Sequence, residues 1–491
     1  MPHPAENRTA IGRAAGALML AALLTLIAPA MHVSGAPAEQ QVATRSALDW
    51  LADELNRNGA TMPGFTPGST DWGLTMDSVL AFVASGEATA PEALAAADRI
   101  ATAEAISAYT TWEPEVPGVR VAGATAKTLL TLRSLGRTST AGGIDLEQTL
   151  RALMIPTGEH RGRFSDQVPD PMWNTANGFA QALAVLALST TPDGVPAEAA
   201  DFLTAQQCPA GGFRLNYDST RSCTSDSGAD PDATALAVQA LLTVDPSIRP
   251  DPAIDRAIAW MLARQLSDGS FGGAGPTSAA NGNSTGLAAQ TLRATGHIDS
   301  ADRAADWVTS RLQLDDDLAA GTPASTDTGA IAYSPSVRSA VLASGITSSG
   351  RDQWRRSTSQ AVLALGPSPY GQPPAAPTTT TTQAQTTTTT QLPTTTTLIP
   401  TTTLIPTTTT QPPPQVEGKT ISPHPEPADR SNSDSSGGET GGAVSGAPPT
   451  SLPRTGGMPQ LLAALGATCL VAGPLLAASS RRDAPSGRRR R

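Results

Sequence analysis

Two loops in the middle of the chain carry carboxylates at matching intervals: Ser165-Asp166-x3-Asp170-Pro171 and Ser225-Asp226-x3-Asp230-Pro231. Asp232 follows closely, so Asp166, Asp170, Asp226, Asp230 and Asp232 are candidates for one acidic rim, with Trp173 and Tyr217 near them in sequence. Oxygen-only ligands at this density suit Ca2+, for which Asp226, Asp230 and Asp232 are the candidate set, or a cationic or sugar-like ligand. Helix caps on a solvated rim explain the same residues as well, because Asp accepts readily from the first free amides of a helix. Asp232 has three readings: the N-cap of a helix starting at Ala233, which is preferred, a ligand contact, or a catalytic acid. Asp315-Asp316-Asp317 reads as a solvated charge run at a helix end. Zinc chemistry lacks donors, since His160 and His297 are the only histidines between residues 39 and 366.

The elements that must position these residues are concentrated in one stretch. Of 491 residues only 4% are aromatic, and every Trp and Phe lies between Trp50 and Trp354. A packed core is therefore expected there and not in the flanks. A balance of 33 Lys+Arg against 43 Asp+Glu, net −10, excludes nucleic acid as the main partner. From about Val42 to Gly366, Ala/Leu-rich helical stretches alternate with Gly/Pro/Asp loops, with no competing strand pattern. One small-apolar helix recurs at Asp77, Lys127, Gln181, Gln239 and Gln290, with a looser sixth copy from Arg338, at intervals of about 48–58 residues. Amphipathic helices such as Ala197–Gln207, Pro252–Gln265 and Ser300–Gln313 lie between them. The apolar helices, Ala180–Leu188 for example, are expected to form an inner layer and the amphipathic ones an outer wall. About six such pairs suffice to close a ring, although an open solenoid needs the same pairs.

The junctions sharpen the comparison. Gln207, Gly211 and Phe213 form a Q-x3-G-x-F, and Gln265, Gly269 and Phe271 form another. This pattern resembles the QW motif (Q-x3-G-x-W) of the squalene-cyclase and protein-prenyltransferase superfamily, with Phe for Trp, over residues ~42–366. The resemblance implies an all-α, α/α-toroid fold and is silent on activity, because the motif is structural in that family. Class II terpene cyclases of the superfamily protonate an alkene with the middle Asp of D-x-D-D-T. Here Asp230-Pro231-Asp232-Ala233-Thr234 places Asp232 at that position and an alanine where the third Asp belongs. Losing a partner for the acid, with few aromatics to stabilise carbocations, argues against cyclisation. The zinc ligands of the prenyltransferases and the GCGEQ thioester of complement-type relatives are absent from the sequence.

Both ends carry addresses. Residues 1–38 read as a signal peptide, with Arg8 and Arg13, an apolar run Ala14–Ala28 and a small-x-small site at Ala36-Pro37-Ala38. Leu452-Pro453-Arg454-Thr455-Gly456 precedes an apolar stretch, 458–478, and six arginines. That order closely resembles the LPxTG sorting signal of Gram-positive, actinobacterial-type surface proteins. It implies a sortase that cleaves after Thr455 and joins it to a peptidoglycan precursor, from a form that transiently spans the membrane as a single helix. Residues 367–450 hold no Trp or Phe, and 378–410 alone contain 21 Thr, so this segment is expected to be a disordered Thr/Pro/Ser-rich stalk. With Cys469 in the segment to be removed, Cys208 and Cys223 remain as an even pair in an exported domain, which reads as a disulfide.

The expected organisation is a signal peptide (1–38), a toroid head (39–366), a stalk (367–450) and a sorting signal (451–491). The preferred function is a secreted, wall-anchored head that binds a small molecule or a surface glycan or protein rather than catalysing. The enzyme alternatives are a terpene-cyclase-like acid at Asp232 and glycan cleavage through paired carboxylates such as Asp166 and Asp226. A plain surface-layer spacer would bind nothing saturably.

Overall fold

The computed structural model describes residues 37–113, 116–366 and 368–371. Residues 1–36 of the expected signal peptide, residues 372–450 of the expected stalk and the whole expected sorting signal lie outside the described residues. Among the described residues no helix is long and apolar enough to cross a membrane.

The helices run in chain order as α1 (Ala38–Arg57), α2 (Trp72–Ala84), α3 (Pro91–Ile100), α4 (Ala103–Thr110) and α5 (Ala122–Ser134). They continue as α6 (Leu146–Ala152), α7 (Gly178–Ser189), α8 (Ala197–Ala205), α9 (Pro231–Leu242) and α10 (Asp251–Leu262). The last are α11 (Gly282–Ala294), α12 (Ile298–Arg311), α13 (Asp316–Ala319), α14 (Pro335–Ser344) and α15 (Arg351–Ala361). The regular strands among the described residues are a single short antiparallel pair, Thr140–Ala141 with Ile144–Asp145.

Packing sorts these helices into two concentric layers. Helix α2 packs on α5, α5 on α7, α7 on α9, α9 on α11 and α11 on α15, and α15 returns to α2, so the inner layer is a closed ring of six. Outside it, α1, α3, α6, α8, α10 and α12 each support an inner helix, and α12 meets α1 where the outer wall closes. The fold is an α/α toroid. Sequence explains the sorting: in α7 every residue from Gly178 to Leu188 is buried, as an inner helix flanked on all sides requires. Helices α10 and α12 bury one stripe each, Ile254, Ala257, Ile258 and Met261 in the first and Ala301, Ala304, Ala305 and Val308 in the second. Asp71, Asn177, Asp230 and Asn281 cap inner helices by accepting from their first free amides.

The sixth inner helix departs from expectation. The copy expected from Arg338 is α14, which is mostly exposed and buries only Val341. Its place in the ring is taken by α15, which buries Trp354, Ser357, Thr358 and Ser359. Small hydroxyl side chains do there what apolar ones do elsewhere, because each can bond to backbone: Thr358 Oγ1 accepts the Ile331 amide (2.9 Å), and Ser357 Oγ donates to the Ile331 carbonyl. The seam is further joined by the Ser78–Ser359 hydroxyl pair (3.0 Å) and by Glu54, fully buried on α1, which binds Arg351 and Arg355 of α15.

The glutamines of the two Q-x3-G-x-F motifs join neighbouring repeats. Gln207 Nε2 donates to the Gly211 and Ala253 carbonyls (2.8 and 2.7 Å), and Gln265 Nε2 to those of Gly269 and Ser300 (2.9 and 2.7 Å). Gln313 repeats the arrangement across the outer seam, donating to Ala43 on α1 (2.7 Å). Its glycine, Gly329, is displaced by the insertion that holds α13, which hides the motif in sequence. Gly162, Gly211, Gly269 and Gly329 all have φ near +90 to +110° and press on a carbonyl of the next outer helix, so a side chain there meets both strain and a clash. Cys208 and Cys223 form the expected disulfide.

Candidate functional site

The inner helices share a register that builds the site. Thr75, Thr125, Thr234 and Thr285 each donate from Oγ1 to the carbonyl four residues back (2.7–2.8 Å). Three of them also accept a junction amide, from Met62, Phe213 and Phe271 respectively (2.8–3.0 Å), as Thr358 does from Ile331. In α7 Gln181 substitutes, accepting from the Phe164 amide at 2.9 Å. Two residues beyond each anchor lie Asp77, Lys127, Leu183, Leu236, Leu287 and Gln360, and all six line a cavity of about 70 Å³ at the centre of the ring. The layer above, two residues before the anchors, contributes Phe179, Asp232 and Asn283. Below lie Leu80 and Leu363.

Asp232 carries a buried oxygen that the fold leaves unsatisfied. The cap of α9 is Asp230, whose Oδ1 accepts the Ala233 amide at 2.8 Å, so the preferred cap role for Asp232 is corrected. Asp232, the second residue of the helix, instead projects inward to the cavity. Asp232 Oδ2 accepts from Ser284 Oγ at 3.1 Å, while its buried Oδ1 has no hydrogen-bond partner. Burial, reinforced by neighbouring Asp230 and opposed by the Ser284 bond, pushes the Asp232 carboxyl up to about 7. Asp230 is also raised, by burial first. Asn283 Oδ1 is a second buried acceptor with no partner on the same cavity.

Across the ring, Lys127 Nζ lies 2.6 Å from Asp77 Oδ1, and both side chains are almost wholly buried. Burial raises the Asp77 carboxyl despite the pull of Lys127. Whether the proton sits on nitrogen or oxygen, the pair carries no net charge.

The two ends of the cavity differ. On the side of the inner-helix N-termini, Phe179 and Asp232 also line an outer vestibule of about 330 Å³, bounded by Leu215, Asn216, Ser227–Asp230 and Ala274–Thr277. Gly273 lies over Asp232 here: an added Cβ would stand 3.2 Å from Asp232 Oδ2 and 2.4 Å from Thr277 Oγ1. The opposite end is crossed by Ser368–Gly371. Ser368 N donates to Ala84 O (3.2 Å) and its carbonyl accepts from Gln290 (2.7 Å). Gln290 accepts from Gln239, and Gln239 accepts the Tyr370 amide (2.9 Å), bringing the phenol to the cavity wall. Gly371 ends the crossing against Leu186 and Thr243. These residues, expected to begin the stalk, belong to the head.

The remaining rim candidates are not brought together. Asp166 is buried and accepts from the Ala122 amide and from Thr175 (2.8 Å each), linking α5 to the loop before α7. Asp170 Oδ1 accepts the Met172 amide and Asp226 Oδ1 the Ala210 amide. Trp173 stacks at a tilt on Trp112, 6.2 Å between centroids. Tyr217 sits in the outer junction, edge-on to Phe202 and 4.9 Å from the Arg163 guanidinium. None of these five lines the cavity or its vestibule. Among the described residues no three His, Cys, Asp or Glu side chains gather as a metal site, so the Ca2+ set of Asp226, Asp230 and Asp232 has no geometric basis. Sequence reasoning missed Asp77, Lys127, Asn283, Gln360 and Tyr370 as lining residues. One signal was available: Lys127 is one of only two lysines in the chain, beside Lys419, and it interrupts an apolar helix.

No protein-family model matches the chain, and no curated protein does. Among solved structures, the chain is similar to a protein from Actinoplanes at 18% identity and TM-score 0.46, over 66% of this chain and 98% of that one. It is also similar to the type II terpene cyclase MstE from Scytonema (15%, 0.44, covering 67% and 97%) and to Candida albicans protein geranylgeranyltransferase-I (11%, 0.45, covering 65% and 90%).

Proposed function

We propose that the protein is a wall-displayed receptor that takes a small, mainly apolar molecule into the centre of its ring. The observation that carries this reading is Asp232: a buried carboxyl with one oxygen bare, lining both an apolar cavity and the outer vestibule. An unsatisfied buried polar atom costs about 1–3 kcal/mol, and a ligand that bonds to it recovers that cost. Display is supported by the sequence, in which Leu452–Gly456, the apolar 458–478 and the arginine tail follow in sortase order after a Thr-rich spacer.

A second reading, Asp232 as a proton donor to its ligand, is favoured by one feature. A carboxyl poised near pH 7 in an apolar site is suited to general-acid work. Against it, Ala233 replaces the third Asp of the cyclase pattern, and Phe179 and Tyr370 are the only aromatic side chains on the cavity. Native mass spectrometry of the whole protein with pooled lipids separates the readings. A retained mass, lost in Leu236→Trp, supports the receptor, and turnover lost in Asp232→Asn supports the acid. No retained mass and no turnover refute both.

A further inference from the structure

Resting on the reading of the ring as a ligand site, we propose that its ligand is an uncharged lipid alcohol: an apolar body with a hydroxyl, and no phosphate or carboxylate head. Among the described residues the cavity and vestibule together present one cation, Lys127, and it is already matched by Asp77 at 2.6 Å. Among these residues no arginine lines either space. Arg356, in the same helical layer as Asp232, is bound by Asp71 and Asp352. A phosphorylated head would enter a site whose other ionisable groups are acids, and pulling Lys127 toward it would strand Asp77. An unpaired charge buried in this way is strongly disfavoured.

The polar groups that remain free fit a hydroxyl. Ser284 donates to Asp232 Oδ2, which leaves Oδ1 to carry the proton of the neutral acid and to donate it. Asn283 Oδ1, also bare, accepts. A hydroxyl is both acceptor and donor, so it can pair with either atom, whereas a hydrocarbon satisfies neither. Leu183, Leu236, Leu287, Leu80 and Leu363 then enclose the apolar body.

The test compares matched ligands on the full-length protein: dodecanol and farnesol, their monophosphates, and the parent hydrocarbons, with Leu236→Trp as the filled-cavity control. The expected result at pH 6 is that alcohols bind at least tenfold more tightly than their phosphates and than the hydrocarbons. In Asp232→Leu the advantage of alcohol over hydrocarbon should vanish while both still bind. Phosphates binding as tightly as alcohols would overturn the inference and leave the ligand site standing. If no member binds more tightly to the native protein than to Leu236→Trp, the ligand site itself is refuted, and this inference with it.

Discussion

Replacing Asp232 by Asn should stabilise the protein, and more so as pH rises. Burial disfavours the anion and pushes the folded carboxyl up to about 7 from its ordinary 3.8. The sign follows from proton counts. Between these values the unfolded chain has lost the proton while the folded one keeps it, so stability falls as pH rises through this window and levels off above about 7. The full difference corresponds to about 4 kcal/mol, with Asp230 sharing some of it through its proximity. Asn is neutral at every pH and near in shape, so it escapes that loss. For a ring of this length an unfolding entropy near 0.7 kcal/mol/K converts about 4 kcal/mol into about 6 °C. Calorimetric melts of both proteins from pH 3.5 to 8.5 should coincide at the acid end and separate by several degrees above pH 7. A constant difference would show that folding does not shift the Asp232 carboxyl, and a lower Tm for Asp232→Asn at pH 8 that it is ionised and held by a partner; either result would sink the account of the cavity.

Three other outcomes follow. Glu54→Gln should cost about 3 kcal/mol at pH 7, seen as a lower Tm, because Arg351 and Arg355 lose a buried partner at the seam. Burial raises the Glu54 carboxyl, but bonds from Arg351 and Arg355 outweigh this and hold it below 4.5; its contribution is therefore present above pH 4.5 and lost on further acidification, so the variant should show a flatter acid limb. Converting Cys208 and Cys223 to Ser together should lower stability by about 3 kcal/mol in denaturant titrations, the chain-entropy value for closing a loop of 15 residues. Tyr370→Ala, which removes the phenol from the cavity wall while keeping the backbone bonds to Gln239 and Gln290, should speed ligand release at least several-fold in stopped-flow measurements.

Much of the fold was legible because it repeats. Five inner helices announced themselves by runs of small apolar residues, and two junctions by Gln, Gly and Phe at fixed offsets. The sixth helix was not, since α15 buries serines and threonines whose backbone bonds replace apolar contact, a substitution that periodicity does not register. The third glutamine junction was hidden by the segment inserted between Gln313 and Gly329. At the site, the D-x-D-A-T pattern drew notice to Asp232, yet its role turned on which of two nearby aspartates reaches the free amides. Asp230 does, and that displaces Asp232 into the ring. Asp166, Asp170 and Asp226 look alike in sequence because they answer the same local need, an acceptor for a loop or helix-end amide. The charge of the cavity was not legible, because Asp77 and Lys127 meet only when neighbouring inner helices align.

A crystal structure of the protein grown with farnesol at pH 6 tests the site most directly. The expected density is the alcohol in the ring centre, its hydroxyl within hydrogen-bond distance of Asp232 Oδ1 and its chain among Leu183, Leu236 and Leu287. A cavity holding only water at saturating ligand, or ligand bound on the outer wall with Asp232 unchanged, would refute the site.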